Sequence, residues 1–205
     1  VWPLSRNQYP KQFLSFFGKD SLFKKTLLRI KSFNLNNFKD PIIVGNLDHK
    51  YFISEQIMQS NSNVSATILE PCPRDTAPAL TVACLEASKM YSEDDYILAL
   101  PADHSIKNEL AFIDAINRGI KIANKDSIIL FGIRPDRPHT GFGYIEIEEE
   151  KSNYYNVSRF VEKPDKETAQ LFFDNKNFLW NGGIFLINIG FYLSLVHQED
   201  KSIID

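Results

Sequence analysis

Apolar runs without polar alternation, separated by helix-like segments, constrain the fold of this chain more than any other feature. Three runs rich in Ile, Leu and Val occur at 41–45, 96–100 and 127–133, and a further strand is predicted at 65–69. Unbroken apolar runs are typical of strands buried on both faces of a parallel sheet. Strands that alternate with helices indicate an open α/β sheet. We therefore predict a Rossmann-like fold, with an open mixed, mainly parallel sheet and helices on both faces.

The spacing of apolar residues predicts the helices between these runs. In residues 75–91 small and apolar side chains recur every three or four positions, and the same spacing recurs in 109–124. Shorter helices are predicted from an Asp48 cap to Met58 and from Asp165 to Phe173, and the tail from Phe191 has helical spacing. Further strands are predicted at 141–147, 156–161 and 183–188.

Length and charge limit the classes of partner. A chain of 205 residues fits a single domain, residues 1–205. Its net charge of -3 gives no electrostatic case for nucleic acid or for an anionic membrane. No apolar run reaches the roughly 18–20 residues that span a bilayer. The two cysteines suit reduced thiols, with Cys84 packed in a helix, so a cytoplasmic protein is expected.

Charged residues that follow predicted strands or lie in loops are the candidates for chemistry. Asp103 follows the strand at 96–100 directly, where a carboxylate can hold Mg²⁺. Lys11 and Arg6 share one loop, and two cations there can neutralise a triphosphate. Taken singly, such residues often have no catalytic role: an Asp after a strand often caps a helix, and cations in loops are often solvated.

The order of several motifs resembles the sugar-1-phosphate nucleotidyltransferases, most closely the mannose-1-phosphate guanylyltransferase branch. The resemblance covers essentially the whole chain and rests on motifs at 2–13, 70–79, 100–104, 138–145, 160–164 and 179–185. It implies the same Rossmann-like fold and the reaction of GTP with mannose 1-phosphate to give GDP-mannose and pyrophosphate. It also implies Mg²⁺ as cofactor, and a homodimer is a further expectation from the family.

The resemblance assigns three groups of site residues. The catalytic group consists of Lys11, Arg6 and Asp103, the last also binding the metal. The nucleotide-binding group consists of Glu70, Asp75, Thr76, Pro101 and Ala102. The group that binds the sugar phosphate consists of Gly143, Glu162, Lys163 and Asn181, in which Glu162 accepts hydrogen bonds from sugar hydroxyls and Lys163 pairs with the phosphate.

Three positions depart from the family pattern. Asp75 stands where Asn is usual, and an ionised Asp accepts hydrogen bonds but donates none, so base specificity is less secure than the reaction class. His139 replaces a common Glu, and Gly182 replaces a Ser in what reads as a small change. Beside the motif residues, a structural role is expected for His104 and a packing role for Trp180.

Two parts of the family pattern are expected outside this sequence. A glycine-rich loop with an arginine would precede Val1, and a second metal-binding aspartate would lie well beyond Asn181. The motif at 202–205 comes too early for that aspartate and is interpreted as helix or loop. We therefore expect the 205 residues alone to be inactive or nearly so, as the ordered portion of a longer protein.

Three alternatives remain at this stage. The chain can be part of a bifunctional protein named for mannose-6-phosphate isomerase activity, whose isomerase domain would lie elsewhere. It can be a non-catalytic regulator that binds sugar nucleotides, which the departures at Asp75 and His139 would favour. It can also be a nucleotidyltransferase for another base or sugar.

Overall fold

The fold alternates helices and strands from its first elements to its last. In the computed structural model, residues 10–15, 18–33, 38–72, 76–151 and 153–199 are described. The helices are α1 (Leu22–Ile30), α2 (Lys50–Ser60), α3 (Thr76–Met90), α4 (Glu109–Ile122), α5 (Lys166–Asp174) and α6 (Ile189–Glu199). The strands are β1 (Ile42–Asn46), β2 (Ala66–Glu70), β3 (Tyr96–Ala99), β4 (Ile128–Ile133), β5 (Tyr144–Lys151), β6 (Tyr154–Val161) and β7 (Phe178–Asn188).

Every strand predicted from the sequence is present, and the main differences lie at helix starts. Helix α1 was not predicted; Ser21 caps it by accepting a hydrogen bond from the Lys24 amide. The expected Asp48 cap is wrong. A short 3-10 helix occupies Leu47–His49 instead, and Asn46 caps it by accepting from the Asp48 amide. Strand β7 begins five residues earlier than expected, at Phe178 rather than 183.

The α/β architecture with packed helices is confirmed, but the strand pairing is less parallel than expected. Among the described strands, β1 and β2 form a parallel pair. A five-stranded sheet contains the others, and its pairs β3–β7, β4–β7, β5–β7 and β5–β6 are all antiparallel. The reason is the route of the chain: β5 and β6 form a hairpin, and α5 then delivers β7 in the direction opposite to β3, β4 and β5.

Strand β7 is the axis of the larger sheet, and one of its edges is shared by two strands. Strand β4 runs along one edge and pairs with both halves of β7. On the other edge β3 pairs with Phe185–Asn188, whereas β5 pairs with Phe178–Trp180. The carboxyl end of β3 and the amino end of β5 therefore face each other across residues 181–184. We call this place the β7 fork.

Two hydrophobic clusters join the two sheets. The first packs α3 and α6 against the larger sheet and includes Cys84, which is fully buried, and Ile187; Ile42 of β1 packs against it. The second gathers Phe13, Phe23 and Ile53 around β1, and Ala102 from beyond β3 packs against it. The loop after β3 is therefore held against the N-terminal helices.

A third cluster supports the β7 fork from behind. It contains Tyr144 of β5, Ala169 and Phe172 of α5, and Phe178 and Trp180 of β7. The buried position of Trp180, which is 7% exposed, confirms its packing role. Across the described residues, no helix has the length and apolar character needed to cross a membrane.

Candidate functional site

Three sequence-predicted residues lie side by side on one face of the sheet at the β7 fork. Gly143 lies opposite Asn181, whose amide donates to the Gly143 carbonyl over 2.7 Å. Because Tyr144 pairs with Val161, the residues next in register are Gly143 and Glu162. Side chains alternate across a strand. Asn181, Gly143 and Glu162 therefore share the face opposite to Tyr144 and Trp180.

Glu162 can lie across this face because Gly143 has no side chain. A Cβ on Gly143 would stand 2.7 Å from Glu162 Oε2 and 2.7 Å from Phe160 Cζ. Both distances are shorter than carbon atoms tolerate, so Glu162 would be displaced. Gly143, which the resemblance assigns to the sugar-phosphate group, thus permits close approach of the Glu162 carboxylate.

Gly183 connects this face to the loop after β3. Its φ of +62° lies in the left-handed region that favours glycine, and the Asn181 Oδ1 accepts a hydrogen bond from its amide over 3.0 Å. A Cβ on Gly183 would stand 3.2 Å from Pro101 Cγ. Pro101 and Asn181 therefore lie on either side of one tight turn in β7.

Asp103 lies two residues beyond Pro101 and pairs with Lys11. Lys11 Nζ is 2.5 Å from Asp103 Oδ2, and the two side chains are 49% and 28% exposed. Lys11 opens the 3-10 helix Lys11–Phe13, which is fixed through the buried ring of Phe13. Two catalytic residues predicted from sequence positions 92 apart thus form an ion pair that is open to solvent.

His104 lies beside this ion pair, and its environment favours the neutral imidazole. Its Nε2 is 3.9 Å from Asp103 Oδ1. Burial lowers the pKa of His104 below its usual range; the Asp103 carboxylate opposes this shift, and the charges of Lys11 and Arg29 reinforce it. Because the imidazole is neutral at pH 7, it does not compete with Lys11 for the Asp103 carboxylate. This agrees with the structural role expected for His104.

Arg29 is a charged residue near the site that sequence reasoning missed. It is 4% exposed, its Nη1 donates to Thr26 Oγ1 over 3.4 Å, and its Nε is 3.6 Å from Glu109 Oε1. Burial lowers the pKa of Arg29, and Glu109 opposes that shift. No motif marks this arginine, because its burial follows from the packing of α1 against the start of α4.

Lys163 has an unusual backbone conformation. Its φ is +41°, although the residue carries a Cβ and precedes Pro164, and both features disfavour that conformation. Its Nζ is 3.1 Å from Glu162 Oε1, and both side chains are more than half exposed. Strained residues of this kind cluster at functional sites. The turn places the ammonium group beside the Glu162 carboxylate rather than further along the strand.

The predicted nucleotide-binding residues are only partly described. Glu70 ends β2, Thr76 begins α3, and both stand at one strand-to-helix junction. Pro101 and Ala102 belong to the loop that carries Asp103. Arg6, Asp75 and the motif at 202–205 lie outside the described residues. The contacts above bring together Lys11, Asp103, Pro101, Asn181, Gly143, Glu162 and Lys163.

The donor groups near Asp103 suit a metal that is shared with phosphate. In the described part of the chain, no three His, Cys, Asp or Glu side chains gather into a metal-binding cluster. Mg²⁺ commonly takes one or two carboxylates together with substrate phosphates and waters. A single partly exposed carboxylate next to a lysine fits that pattern and does not fit an all-protein cage.

Comparison with known proteins places the whole chain in one family. Residues 1–205 match the family model described as nucleotidyl transferase. Mannose-1-phosphate guanylyltransferase 2 of Escherichia coli O157:H7 is 41% identical over 202 residues, which cover 94% of this chain and 41% of the relative. Alginate biosynthesis protein AlgA of Pseudomonas aeruginosa is 40% identical over 210 residues, which cover 100% of this chain and 42% of that relative. The chain spans about two fifths of the length of these relatives.

Solved structures agree with this placement. A Thermus thermophilus structure described as mannose-1-phosphate geranyltransferase superposes with a TM-score of 0.86 at 29% identity, covering 99% of this chain and 58% of that one. A Helicobacter pylori structure described as mannose-6-phosphate isomerase superposes with a TM-score of 0.81 at 33% identity, covering 96% of this chain and 73% of that one. With the family model matching from end to end, this chain belongs to the nucleotidyl transferase family.

Proposed function

We propose that this chain supplies the site for guanylyl transfer from GTP to mannose 1-phosphate, which gives GDP-mannose and pyrophosphate. The observation that carries the proposal is the convergence at the β7 fork. A cation and carboxylate pair, Lys11 with Asp103, stands at the end of β3, and the sugar-binding set predicted from the sequence stands across the fork. The names of the relatives support the choice of guanine and mannose.

The sugar phosphate belongs on the Asn181 face. Glu162 accepts hydrogen bonds from vicinal hydroxyls, and Asn181 supplies both a donor and an acceptor. Lys163 holds the phosphate whose oxygen attacks the α-phosphorus of GTP. That attack forms a new P–O bond in line with the bond to the leaving pyrophosphate, and no covalent enzyme intermediate is required.

We place the triphosphate between Lys11 and the end of β3. Lys11 is free to turn from Asp103 to the phosphates, since half of its side chain is exposed. Its charge then stabilises the pentavalent phosphorus centre. Glu70 and Thr76 stand at the junction where the base is read, and Asp75 and Arg6 complete the two groups.

Asp103 is the residue that would hold the divalent metal, and we propose Mg²⁺. Bound there, the metal would offset the charge that develops on pyrophosphate. Lys11, whose ammonium group pairs with that carboxylate in the structure, would contact the substrate phosphates.

Pyrophosphate release by the full-length gene product tests the proposal. The assay pairs GTP, ATP, UTP and dTTP with mannose 1-phosphate and glucose 1-phosphate in the presence of Mg²⁺. We expect release chiefly with GTP and mannose 1-phosphate. Preference for another pair would keep the reaction class and overturn the substrate. Absence of release from folded protein would overturn the proposal, and interconversion of mannose 6-phosphate and fructose 6-phosphate would then support the isomerase alternative.

A further inference from the structure

The phenol of Tyr144 makes two hydrogen bonds to the backbone of one loop residue. Tyr144 has no exposed surface. Its hydroxyl donates to the His139 carbonyl over 3.1 Å and accepts from the His139 amide over 3.0 Å. One buried side chain at the start of β5 thus holds both polar backbone groups of a residue in the β4–β5 loop, which we define as residues 134–143.

The same loop is fixed by contacts of its own side chains. His139 Nδ1 accepts from the Gly141 amide over 2.9 Å. The His139 ring stacks on Phe142 with centroids 4.2 Å apart, and Phe142 meets Trp180 of β7 edge-on at 5.0 Å. His139 therefore serves as a hydrogen-bond acceptor within the loop, which accounts for the tolerance of histidine where the family commonly has glutamate.

Tyr144 acts on the loop from the side of the sheet away from the site. Its ring lies on the face that packs against Phe172 of α5, with centroids 5.3 Å apart. Gly143, the preceding residue, faces Glu162 on the opposite side and accepts the Asn181 amide. The hydroxyl therefore fixes the path by which the chain enters Gly143 and contacts none of the proposed substrate-binding side chains.

We propose that Tyr144 is a positioning residue for the sugar-phosphate half of the site. Its hydroxyl holds the β4–β5 loop so that the Gly143 peptide stays fixed beside Asn181 and Glu162. The inference rests on the proposed function, because the ligand it serves is the sugar phosphate of that reaction. Small displacements of a binding group strongly weaken productive binding, so loss of the hydroxyl acts on one substrate and spares the other.

The test is Tyr144→Phe in the full-length enzyme, with kinetics and hydrogen exchange measured together. We expect the KM for mannose 1-phosphate to rise about tenfold and the KM for GTP to stay within about twofold. Amides of residues 139–143 should exchange faster than in the wild type. Tyr91→Phe is the matched control: its hydroxyl lies 2.9 Å from Ser65 Oγ, at the amino end of β2, away from the fork. Both KM values should be unchanged in that control.

A second variant separates positioning from folding. His139→Ala removes the loop acceptor and the ring stack while leaving Tyr144 intact, and it should raise the same KM. The double variant should be little worse than either single one, since both act on one loop. Equal rises in both KM values, a fall in kcat alone with lower stability, or unchanged exchange at 139–143 would overturn the inference.

The wild-type assay keeps the two proposals distinguishable. If the wild type uses a different sugar 1-phosphate, the proposed substrate fails and Tyr144→Phe is judged with the sugar phosphate that is used. If the wild type transfers no nucleotide to any sugar phosphate, both proposals are overturned.

Discussion

At the scale of single residues, Lys163 has an unfavourable backbone conformation and a proposed role in binding the sugar phosphate. A φ of +41° before a proline is unfavourable for a residue with a Cβ. Glycine tolerates this conformation and alanine does not. We expect Lys163→Gly to be about 1 kcal/mol more stable than Lys163→Ala in urea unfolding. Both variants should lose about 100-fold or more in kcat/KM for mannose 1-phosphate, because the phosphate loses its cation.

The glycine and alanine variants serve as each other's control. Both remove the ammonium group, so they differ only in how they accept the backbone turn. If Lys163→Ala were the more stable of the two, the strain at this position would be absent. Activity within a few-fold of the wild type in either variant would remove Lys163 from the sugar-phosphate site.

The two cysteines offer a test of the proposed nucleotide-binding residues. Cys72 is exposed in the loop after Glu70, whereas Cys84 is buried in α3. Burial raises the pKa of Cys84 to about 12, so its thiolate is scarce at pH 8. Because the thiolate is the reactive form, iodoacetamide should modify Cys72 alone in the native chain and both thiols in urea. Bound GTP with Mg²⁺ should slow modification of Cys72 by at least about fivefold.

Mass spectrometry after timed alkylation gives the answer for each thiol separately. Mannose 1-phosphate alone is the control ligand and should leave the rate at Cys72 unchanged. Equal rates with and without GTP would place the nucleotide away from the end of β2 and the start of α3. Rapid modification of Cys84 in the native protein would contradict its burial.

At the scale of elements, the irregular pairing of β4 with β7 leaves little room for a side chain at Gly182. A Cβ there would stand 2.5 Å from the Phe131 carbonyl oxygen, which is backbone and cannot rotate away. Replacement of the family serine by glycine is therefore a larger change than the sequence suggested. We expect Gly182→Ala to lower the free energy of unfolding by about 1–3 kcal/mol in urea.

Gly45→Ala is a suitable control for this substitution. It also lies in a strand, and its new Cβ would stand 2.6 Å from Ile53 Cδ1, the far end of a flexible side chain. A rotamer change relieves that contact, so the destabilisation should be the smaller of the two. Equal losses would show that the fork accommodates a side chain at Gly182.

Sequence patterns predicted the elements well because apolar periodicity reports directly on burial. The runs at 96–100 and 127–133 correspond to β3 and β4, and the helix at 109–124 to α4. Helix α1 was not predicted, although Ser21 caps its first turn. The antiparallel pairing on β7 was not predicted, because the composition of a strand does not reveal the direction of its neighbours.

The site was predictable to the extent that motifs mark it. Asp103 lies beside Lys11, and Glu162 and Asn181 lie beside Gly143, since each follows or interrupts a strand next to the β7 fork. Tyr144 and Arg29 were missed because their importance comes from tertiary contacts: a buried hydroxyl in one case and a buried charge in the other. Apolar or charged residues of these types are too common for spacing to single them out.

At the scale of the whole molecule, the two sheets depend on packing, and the proposed metal has no part in it. The shared clusters around Ile187 and Phe13 join the sheets through apolar contact. Asp103 instead pairs with Lys11 at the surface. We therefore expect EDTA to leave the melting temperature of the substrate-free protein within about 1 °C while abolishing transfer, with Mg²⁺ restoring it.

The same reasoning predicts how metal and nucleotide stabilise the protein. One carboxylate binds Mg²⁺ weakly alone, and phosphate oxygens complete the site. Mg²⁺ and GTP together should raise the melting temperature by several degrees, and either alone by much less, because only the complete site gives tight binding to the native state. Asp103→Asn should remove this joint shift, whereas Asp114→Asn, at an exposed position on α4, should keep it. Unfolding of the substrate-free protein by EDTA would instead indicate a structural metal and contradict the shared site.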